Sequence, residues 1–184
     1  MKVLIISSSS IEIEASYLTI AHKISTFLAH KKFDLIFGGS SLSMMGVCYQ
    51  VFQANKRKVY ADTIFNYSDD LKNLEETISS ISKTTFDLKK EMFEKCDLIV
   101  CLPGGIGTLS EILAYLEEKR SNNSRKPIII YDETNFYKGF KLQLEQMKNE
   151  GFILKKDNNL FKLIDNMEEF KKEINNYVTN GGRQ

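Results

Sequence analysis

Short apolar runs that alternate with longer amphipathic stretches constrain the fold of this chain more than any other feature of its sequence. The runs at 3–6, 33–37 and 98–102 are almost wholly apolar, as strands buried on both faces of a parallel sheet are. Between them, apolar residues recur at helical spacing, for example at Ile24 and Leu28. The alternation predicts an α/β fold, a Rossmann-like, doubly wound parallel sheet flanked by helices.

The pattern runs through the chain without a repeat or a linker that would divide it. We therefore expect a single domain over residues 1–178, followed by a disordered tail at 179–184 that has two glycines and no apolar anchor. The segment 66–83 is polar and poorly periodic, which favours a loop with a short helix. A third strand is expected at 58–61, and the helix after the most apolar strand is expected to span 108–120.

Charge and composition exclude several classes of protein. The net charge of +1, with Lys and Glu interleaved, argues against a nucleic-acid partner. No run approaches the ~20 apolar residues of a membrane helix, and the apolar start at 1–6 is too short for a signal peptide. Cys48, Cys96 and Cys101 show no C-x-x-C spacing and are interpreted as structural thiols. We expect a cytoplasmic protein that does not associate with membranes.

Small residues gather directly after three of the predicted strands, at 7–10, 38–46 and 103–108. In open parallel sheets, ligands bind beyond the carboxyl ends of the strands. Small side chains there let the backbone approach a ligand and offer its N–H groups. The three segments together predict a binding site at this edge.

The third segment has the composition of a phosphate-binding loop. Gly104, Gly105 and Gly107 lie between a strand and a helix, where unpaired amides and the helix dipole favour an anion. Thr108 adds a hydroxyl. The segment lacks both the G-x-x-x-x-G-K-[ST] pattern and the third glycine of the dinucleotide fingerprint. It therefore argues against P-loop hydrolysis and against a nicotinamide enzyme.

Glu111 has two interpretations. Thr108-x-x-Glu111 has the spacing of a capping box, in which the glutamate returns to the backbone of the cap residue. Alternatively, a carboxylate one turn behind a phosphate loop lies where a ribose would extend, and acts on the ligand. The residues alone leave both open.

Segment 102–111, L-P-G-G-I-G-T-L-S-E, resembles the P-G-G-x-G-T-x-x-E signature of the Lonely Guy (LOG) proteins. Those are cytokinin riboside 5′-monophosphate phosphoribohydrolases, often labelled lysine decarboxylase-like. Weaker similarities follow in the family's order: S-S-S at 7–9, F-G-G-S-S-L-S-M-M-G at 37–46, M-F-E-K-C-D at 92–97, K-P at 126–127 and E-G-F-I at 150–153.

The resemblance implies hydrolysis of the N-glycosidic bond of a nucleoside 5′-monophosphate, of the AMP or cytokinin riboside monophosphate type. It implies a homodimer that uses neither a metal nor a cofactor, with Glu111 and Lys89 as catalytic residues. The substrate-binding residues that it implies are Ser8, Gly38, Gly39, Gly46, Met92, Pro103, Gly104, Gly105, Gly107 and Thr108.

The chain departs from the family pattern at three positions. Leu88 stands where family members carry an arginine, and Ser40 and Ser43 stand where glycines are typical. Lys89 and its neighbour Lys90 supply charge to the site, or are simply the solvated face of a helix. The Leu88 departure favours an alternative, a module that binds or senses a nucleotide without cleaving it, whereas the intact Glu111 favours the enzyme. Lysine decarboxylation is disfavoured, because the sequence shows no Schiff-base lysine context and no pyridoxal phosphate signature.

Overall fold

A computed structural model describes residues 1–122, 124–154, 157 and 159–181. Strands and helices alternate along the chain, with a 3₁₀ segment at Phe65–Asn73. In order, the elements are β1 (Lys2–Ile6), α1 (Ala15–His30), β2 (Asp34–Phe37), α2 (Ser43–Ala54), β3 (Val59–Ile64), β4 (Thr77–Ser82), α3 (Thr85–Lys95), β5 (Leu98–Cys101), α4 (Ile106–Asn122), β6 (Ile128–Tyr131), α5 (Lys138–Asn149), β7 (Lys162–Ile164) and α6 (Met167–Thr179).

The described strands form one parallel sheet in the order β4-β3-β2-β1-β5-β6-β7. The strand order reverses between β1 and β5, so the loops that follow these two strands diverge and leave a crevice. Ile6 pairs with Cys101 at the ends of the two strands, and the amide of Leu102 donates to the carbonyl of Ile6 over 2.9 Å. The expected single α/β domain with a Rossmann-like sheet is confirmed.

Each face of the sheet has its own apolar core. Val3 and Ile5 of β1 belong to one core, and Leu4 and Ile6 belong to the other, because successive side chains of a strand point to opposite faces. The first core is shared with α1, α2 and α6, and the second with α3, α4 and α5. Burial on both faces explains why β1 reads as a continuous apolar run.

The segment 66–83 differs from its prediction. It contains most of the 3₁₀ segment and all of β4, an edge strand that pairs with β3. The expected short helix is present as the 3₁₀ segment, but part of the expected loop is the strand β4, which was missed because it reads T-I-S-S-I-S. Its two isoleucines, Ile78 and Ile81, are both 53% exposed and three residues apart, so they show neither a buried run nor a period of two. Backbone pairing holds this strand in place.

Helix α4 also differs from its prediction at both ends. It begins at Ile106 rather than at 108, and ends at Asn122 rather than at 120. Among the described residues, none of the helices is long and apolar enough to cross a membrane. The first residue of the expected tail, Thr179, is the last residue of α6. The amide of Gly181 donates to the carbonyl of Val178. Residues 182–184 lie outside the described part of the chain.

Candidate functional site

A cavity of about 560 Å³ lies at the carboxyl edge of the sheet, which is a usual size for a small-molecule site. The loops after β1, β2, β3 and β5 meet there, together with the facing turns of α3 and α4. All three small-residue segments picked out in the sequence contribute to its wall. The cavity is lined by Ser7, Ser8, Ser9, Ser10, Gly38, Ser40, Met45, Thr63, Ile64, Tyr67, Asp70, Thr85, Leu88, Lys89, Gly105, Ile106, Gly107, Thr108, Ser110 and Glu111.

The glycine segment forms one end of this cavity. Gly105, Gly107 and Thr108 line it, and the carbonyl of Gly105 accepts the first helical hydrogen bond of α4, from the amide of Leu109 at 3.0 Å. The amides of the first helical turn have no carbonyl partner within their own helix. They give this end of the cavity a partial positive charge that suits an anion such as a phosphate.

Gly104 is fixed by Thr108 rather than by a ligand. A Cβ atom on Gly104 would lie 2.2 Å from the Thr108 Oγ1, so only glycine leaves room for the threonine side chain. Thr108 is 5% exposed, and its hydroxyl donates to the carbonyl of Ser7 over 3.4 Å. This contact joins the loop after β5 to the loop after β1.

The capping-box interpretation of Glu111 is wrong. Gly105 is the cap of α4, since its carbonyl accepts the first helical hydrogen bond, and Thr108 is the third residue inside the helix. A glutamate three residues after Thr108 is therefore in the second turn, beyond the reach of the cap. Within the described residues, no hydrogen bond or ion pair engages the Glu111 carboxylate.

Glu111 is a partly buried carboxyl group on the cavity wall. Burial raises its pKa from the ordinary 4.5 to about 7, and the positive charge of Lys89 opposes that rise. An acidic group that titrates near neutrality within a cavity is typical of functional sites. Its two states, a carboxylic acid and a carboxylate, are both accessible under ordinary conditions.

Lys89 faces the same cavity from α3, whose first turn is capped by the Thr84 side chain accepting from the amide of Asp87. The Lys89 Nζ donates to the Ser110 Oγ over 2.7 Å. Lys90, by contrast, is exposed and lies 3.9 Å from Glu94. The two lysines therefore differ: Lys90 has the solvated position, and Lys89 lies at the cavity.

Gly39 and Gly46 of the second segment were predicted to bind substrate. In the structure they support the cavity wall without lining it. Gly39 has a φ of +78°, and its Cβ position lies 3.0 Å from the Leu71 side chain. A Cβ on Gly46 would lie 2.0 Å from the carbonyl oxygen of Ser41, so α2 approaches the preceding loop at this point. Ser43, in a family glycine position, has a φ of +52°, a left-handed conformation that costs a non-glycine residue about 1 kcal/mol or more.

Of the other residues predicted to bind substrate, some line the cavity wall and some lie in the layer beneath it. Ser8 and Gly38 line the cavity, and the carbonyl of Ser8 accepts from the amide of Met45 over 3.2 Å. Met92 is 1% exposed and belongs to the second core, and Pro103 is buried outside the lining. In this structure Met92 and Pro103 contact protein rather than the cavity.

Five lining residues were missed by the sequence reasoning: Thr85, the first residue of α3, and four residues at or after the end of β3. Thr63 and Ile64 end β3, and Tyr67 and Asp70 lie in the 3₁₀ segment that follows it. The carboxyl end of β3 could have indicated these four, because it is a fourth strand end at the same edge of the sheet as the three that small residues mark. It was overlooked because no small residues mark it and because β3 was predicted to stop three residues earlier, at 61.

The pairing of the buried Asp62 with the partly buried Lys95 explains how β3 continues beyond 61. Asp62 is 1% exposed and accepts from the Lys95 Nζ at 2.9 Å and from the Ser80 Oγ at 2.7 Å. A polar residue within a strand is tolerated when it is paired in this way.

Among the described residues, no group of three or more His, Cys, Asp or Glu side chains is arranged to hold a metal.

Solved structures resemble this fold closely at low sequence identity. The molybdenum cofactor binding protein from Rippkaea orientalis superposes with a TM-score of 0.70 at 16% identity, covering 96% of this chain and 97% of that one. The molybdenum cofactor carrier protein from Chlamydomonas reinhardtii has a TM-score of 0.68 at 12% identity, with 97% and 99% covered. At these identities the similarity concerns the fold alone.

Sequence comparison identifies the family. A cytokinin riboside 5′-monophosphate phosphoribohydrolase of Arabidopsis thaliana is 26% identical over 179 residues, 96% of this chain and 82% of the relative. An enzyme of the same name from Mycobacterium marinum is 22% identical over 161 residues, 83% of this chain and 82% of the relative. These names support phosphoribohydrolase activity at the level of the family. The profile of the family described as "Possible lysine decarboxylase" matches residues 40–174, and the chain therefore belongs to this family, that of the LOG proteins.

Proposed function

We propose that this protein hydrolyses the N-glycosidic bond of a nucleoside 5′-monophosphate and releases the free base and ribose 5-phosphate. The observation that carries the proposal is the position of Glu111. Its carboxyl group has no partner among the described residues, and it lies in one cavity with the first-turn amides of α4. An anion site beside an unpaired carboxylate suits a phosphate with a sugar attached.

The α4 end of the cavity supplies the binding energy for the phosphate. The amides near Gly105, Ile106 and Gly107 would hold the phosphate oxygens, and the helix dipole favours their charge. Binding energy gained at this remote group positions the sugar for reaction. The ribose then extends from the start of α4 towards Glu111, one helical turn along.

Glu111 in its ionised form would stabilise the transition state. Cleavage of the bond between C1′ and the base nitrogen leaves positive charge on the ribose ring, as in other glycoside hydrolyses. A carboxylate in a partly water-excluded cavity stabilises that charge and orients the water whose oxygen bonds to C1′. The proton released by the water goes to the departing base, which balances the reaction.

The expected substrate is an AMP-type or cytokinin riboside monophosphate-type nucleotide, and the expected active form is a homodimer. Both are expectations that rest on the resemblance to the family, and the cavity is not the ground for either. Cys48, Cys96 and Cys101 are free and buried thiols, which suits the reducing cytoplasm where we expect the protein to act. Sedimentation of the purified protein tests the dimer, and a monomer at working concentration contradicts it.

A second candidate function is a module that binds a nucleotide without cleaving it. Leu88 favours this alternative, because an apolar side chain lines the cavity where family members carry an arginine. A panel of nucleoside 5′-monophosphates separates the two. Release of base and ribose 5-phosphate supports the hydrolase, whereas binding measured by calorimetry without release of either product supports the binding module.

A further inference from the structure

Asp70 is a cavity carboxylate that the catalytic proposal does not use. It lies in the 3₁₀ segment after β3, lines the cavity and is partly buried. Among the described residues, no hydrogen bond or ion pair engages it. Its neighbour Asp69 is 87% exposed and pairs with Lys72 on the surface. A partly buried carboxylate accepts hydrogen bonds only, so the Asp70 end of the cavity is suited to a ligand group with N–H or O–H donors.

The sheet separates the segment that carries Asp70 from the anion site. This segment follows β3, three positions away from β5 in the strand order, and its Leu71 side chain lies against Gly39 after β2, two positions away from β5. At about 4.8 Å per position, the segment is about 10 Å or more from the end of β5. The start of α4 attracts a phosphate, and the negative charge of Asp70 repels one. A nucleotide bound in this cavity therefore has its phosphate at α4 and its opposite end, the base, towards Asp70.

The surroundings of Asp70 suit a flat aromatic group. Tyr67 lines the cavity from the same segment, Ile64 lines it from the end of β3, and Met45 lines it from α2. The side chain of Tyr67 is 64% exposed although it belongs to this wall, so its ring is accessible. Proteins that bind extruded bases stack them on aromatic or apolar side chains and identify them through hydrogen bonds at the base edge.

We propose that Asp70 is a specificity-determining residue, which accepts a hydrogen bond from an exocyclic amino group of the base while Tyr67 stacks on the ring. The orientation of the nucleotide rests on the proposed function. A base with a carbonyl group at that position places its oxygen against the carboxylate and is disfavoured. A base with only hydrogen there leaves the carboxylate without a donor.

The test compares AMP, purine riboside 5′-monophosphate, which lacks only the amino group, and IMP, which replaces it with a carbonyl. We expect kcat/KM for AMP to exceed that for the other two by about tenfold or more. Asp70→Asn, whose amide both donates and accepts, should bring the AMP and IMP values within about threefold of each other. Asp70→Ala should lower the value for AMP towards that for purine riboside 5′-monophosphate.

The matched control is Asp69→Asn, which removes the same charge one residue away and outside the cavity, and should keep the wild-type preference. Equal use of AMP and purine riboside 5′-monophosphate, or a preference that survives Asp70→Asn, overturns the inference while leaving the hydrolase proposal intact. Calorimetry with the three nucleotides separates the two proposals. A preference for AMP in binding that depends on Asp70, without turnover of any nucleotide, supports the inference and contradicts the hydrolase. Absence of binding by all three contradicts both.

Discussion

The Lys89 Nζ on α3 and the Ser110 Oγ on α4 are 2.7 Å apart, and this hydrogen bond joins the two helices directly before Glu111 in the chain. It holds a positive charge beside a carboxyl group whose pKa burial has raised. The pKa of Glu111, about 7, reflects the balance of these opposed effects, of which burial is the larger. Lys89 thus favours the ionised form that the proposed chemistry needs.

Replacing Lys89 should change the pH dependence of the reaction. In Lys89→Met, burial acts on Glu111 without opposition, so the pKa of the carboxyl group rises further. Wild-type kcat/KM should increase with pH through about 7, and the variant's rising limb should lie at higher pH, with a lower rate at neutrality. Profiles between about pH 5 and 9 measure this shift. Lys90→Met changes the same charge on the exposed face and should leave the profile in place, whereas an unmoved limb in Lys89→Met contradicts the assignment.

Removing the charge of Glu111 should not destabilise the protein. The unfolded chain loses the Glu111 proton near pH 4.5, while the folded protein keeps it until about pH 7. The free energy of unfolding therefore falls between these pH values, and the whole penalty is present above them. Glu111→Gln removes the penalty, so the variant should be at least as stable as the wild type at about pH 8, with the gain shrinking towards pH 4. Urea denaturation at the two pH values measures the difference in stability between the variant and the wild type. If Glu111→Gln is less stable than the wild type at both pH values, Glu111 has a structural role.

Gly104→Ala should disturb the phosphate end of the cavity. The new methyl group would lie 2.2 Å from the Thr108 Oγ1, so either the loop or Thr108 must move. We expect a loss of about 1–3 kcal/mol in stability and a raised KM for nucleotides, measured by thermal unfolding and steady-state kinetics. Gly139→Ala is the control, since no atom lies within 4 Å of its Cβ position in α5. The stability of this control should stay the same or rise by up to about 1 kcal/mol. If Gly104→Ala changes neither the stability nor the KM, the contact between Gly104 and Thr108 is unimportant.

Restoring the family residue at position 88 should strengthen nucleotide binding. Leu88 lines the cavity beside Lys89, and an arginine there can form paired hydrogen bonds with a phosphate. Leu88→Arg should lower the dissociation constant for AMP by about tenfold, which corresponds to about 1.4 kcal/mol. Leu88→Met keeps an apolar side chain of similar volume and serves as the control. Unchanged affinity in Leu88→Arg would place the phosphate away from this turn of α3.

The sequence predicted the central strands and the strand ends that carry small residues, because both leave local signals. β1 and β5 are apolar runs, and their loops contain serines and glycines that meet where the sheet order reverses. β4 left no such signal, since an edge strand depends on pairing with its neighbour rather than on an apolar pattern. Asp70 was not predicted as a site residue because it also lacks a local signal. Only the folded sheet brings its segment to the cavity.

The role of Glu111 depended on a boundary that the sequence does not fix. Thr108 and Glu111 have capping-box spacing, and a helix starting after Thr108 would have made that interpretation sufficient. The structure begins α4 at Ile106, because the room left by Gly104 lets Thr108 sit inside the first turn against the carbonyl of Ser7. A shift of two residues changes the carboxylate from a helix cap into an unpaired group on a cavity wall.

The measurement closest to the central claim is the conversion of AMP by the wild-type protein and by Glu111→Gln, with free adenine and ribose 5-phosphate quantified together. We predict equal amounts of the two products from the wild type. The variant should form them at least about a hundredfold more slowly while retaining the wild-type fold by circular dichroism. Undiminished product formation by a folded Glu111→Gln protein would contradict the account.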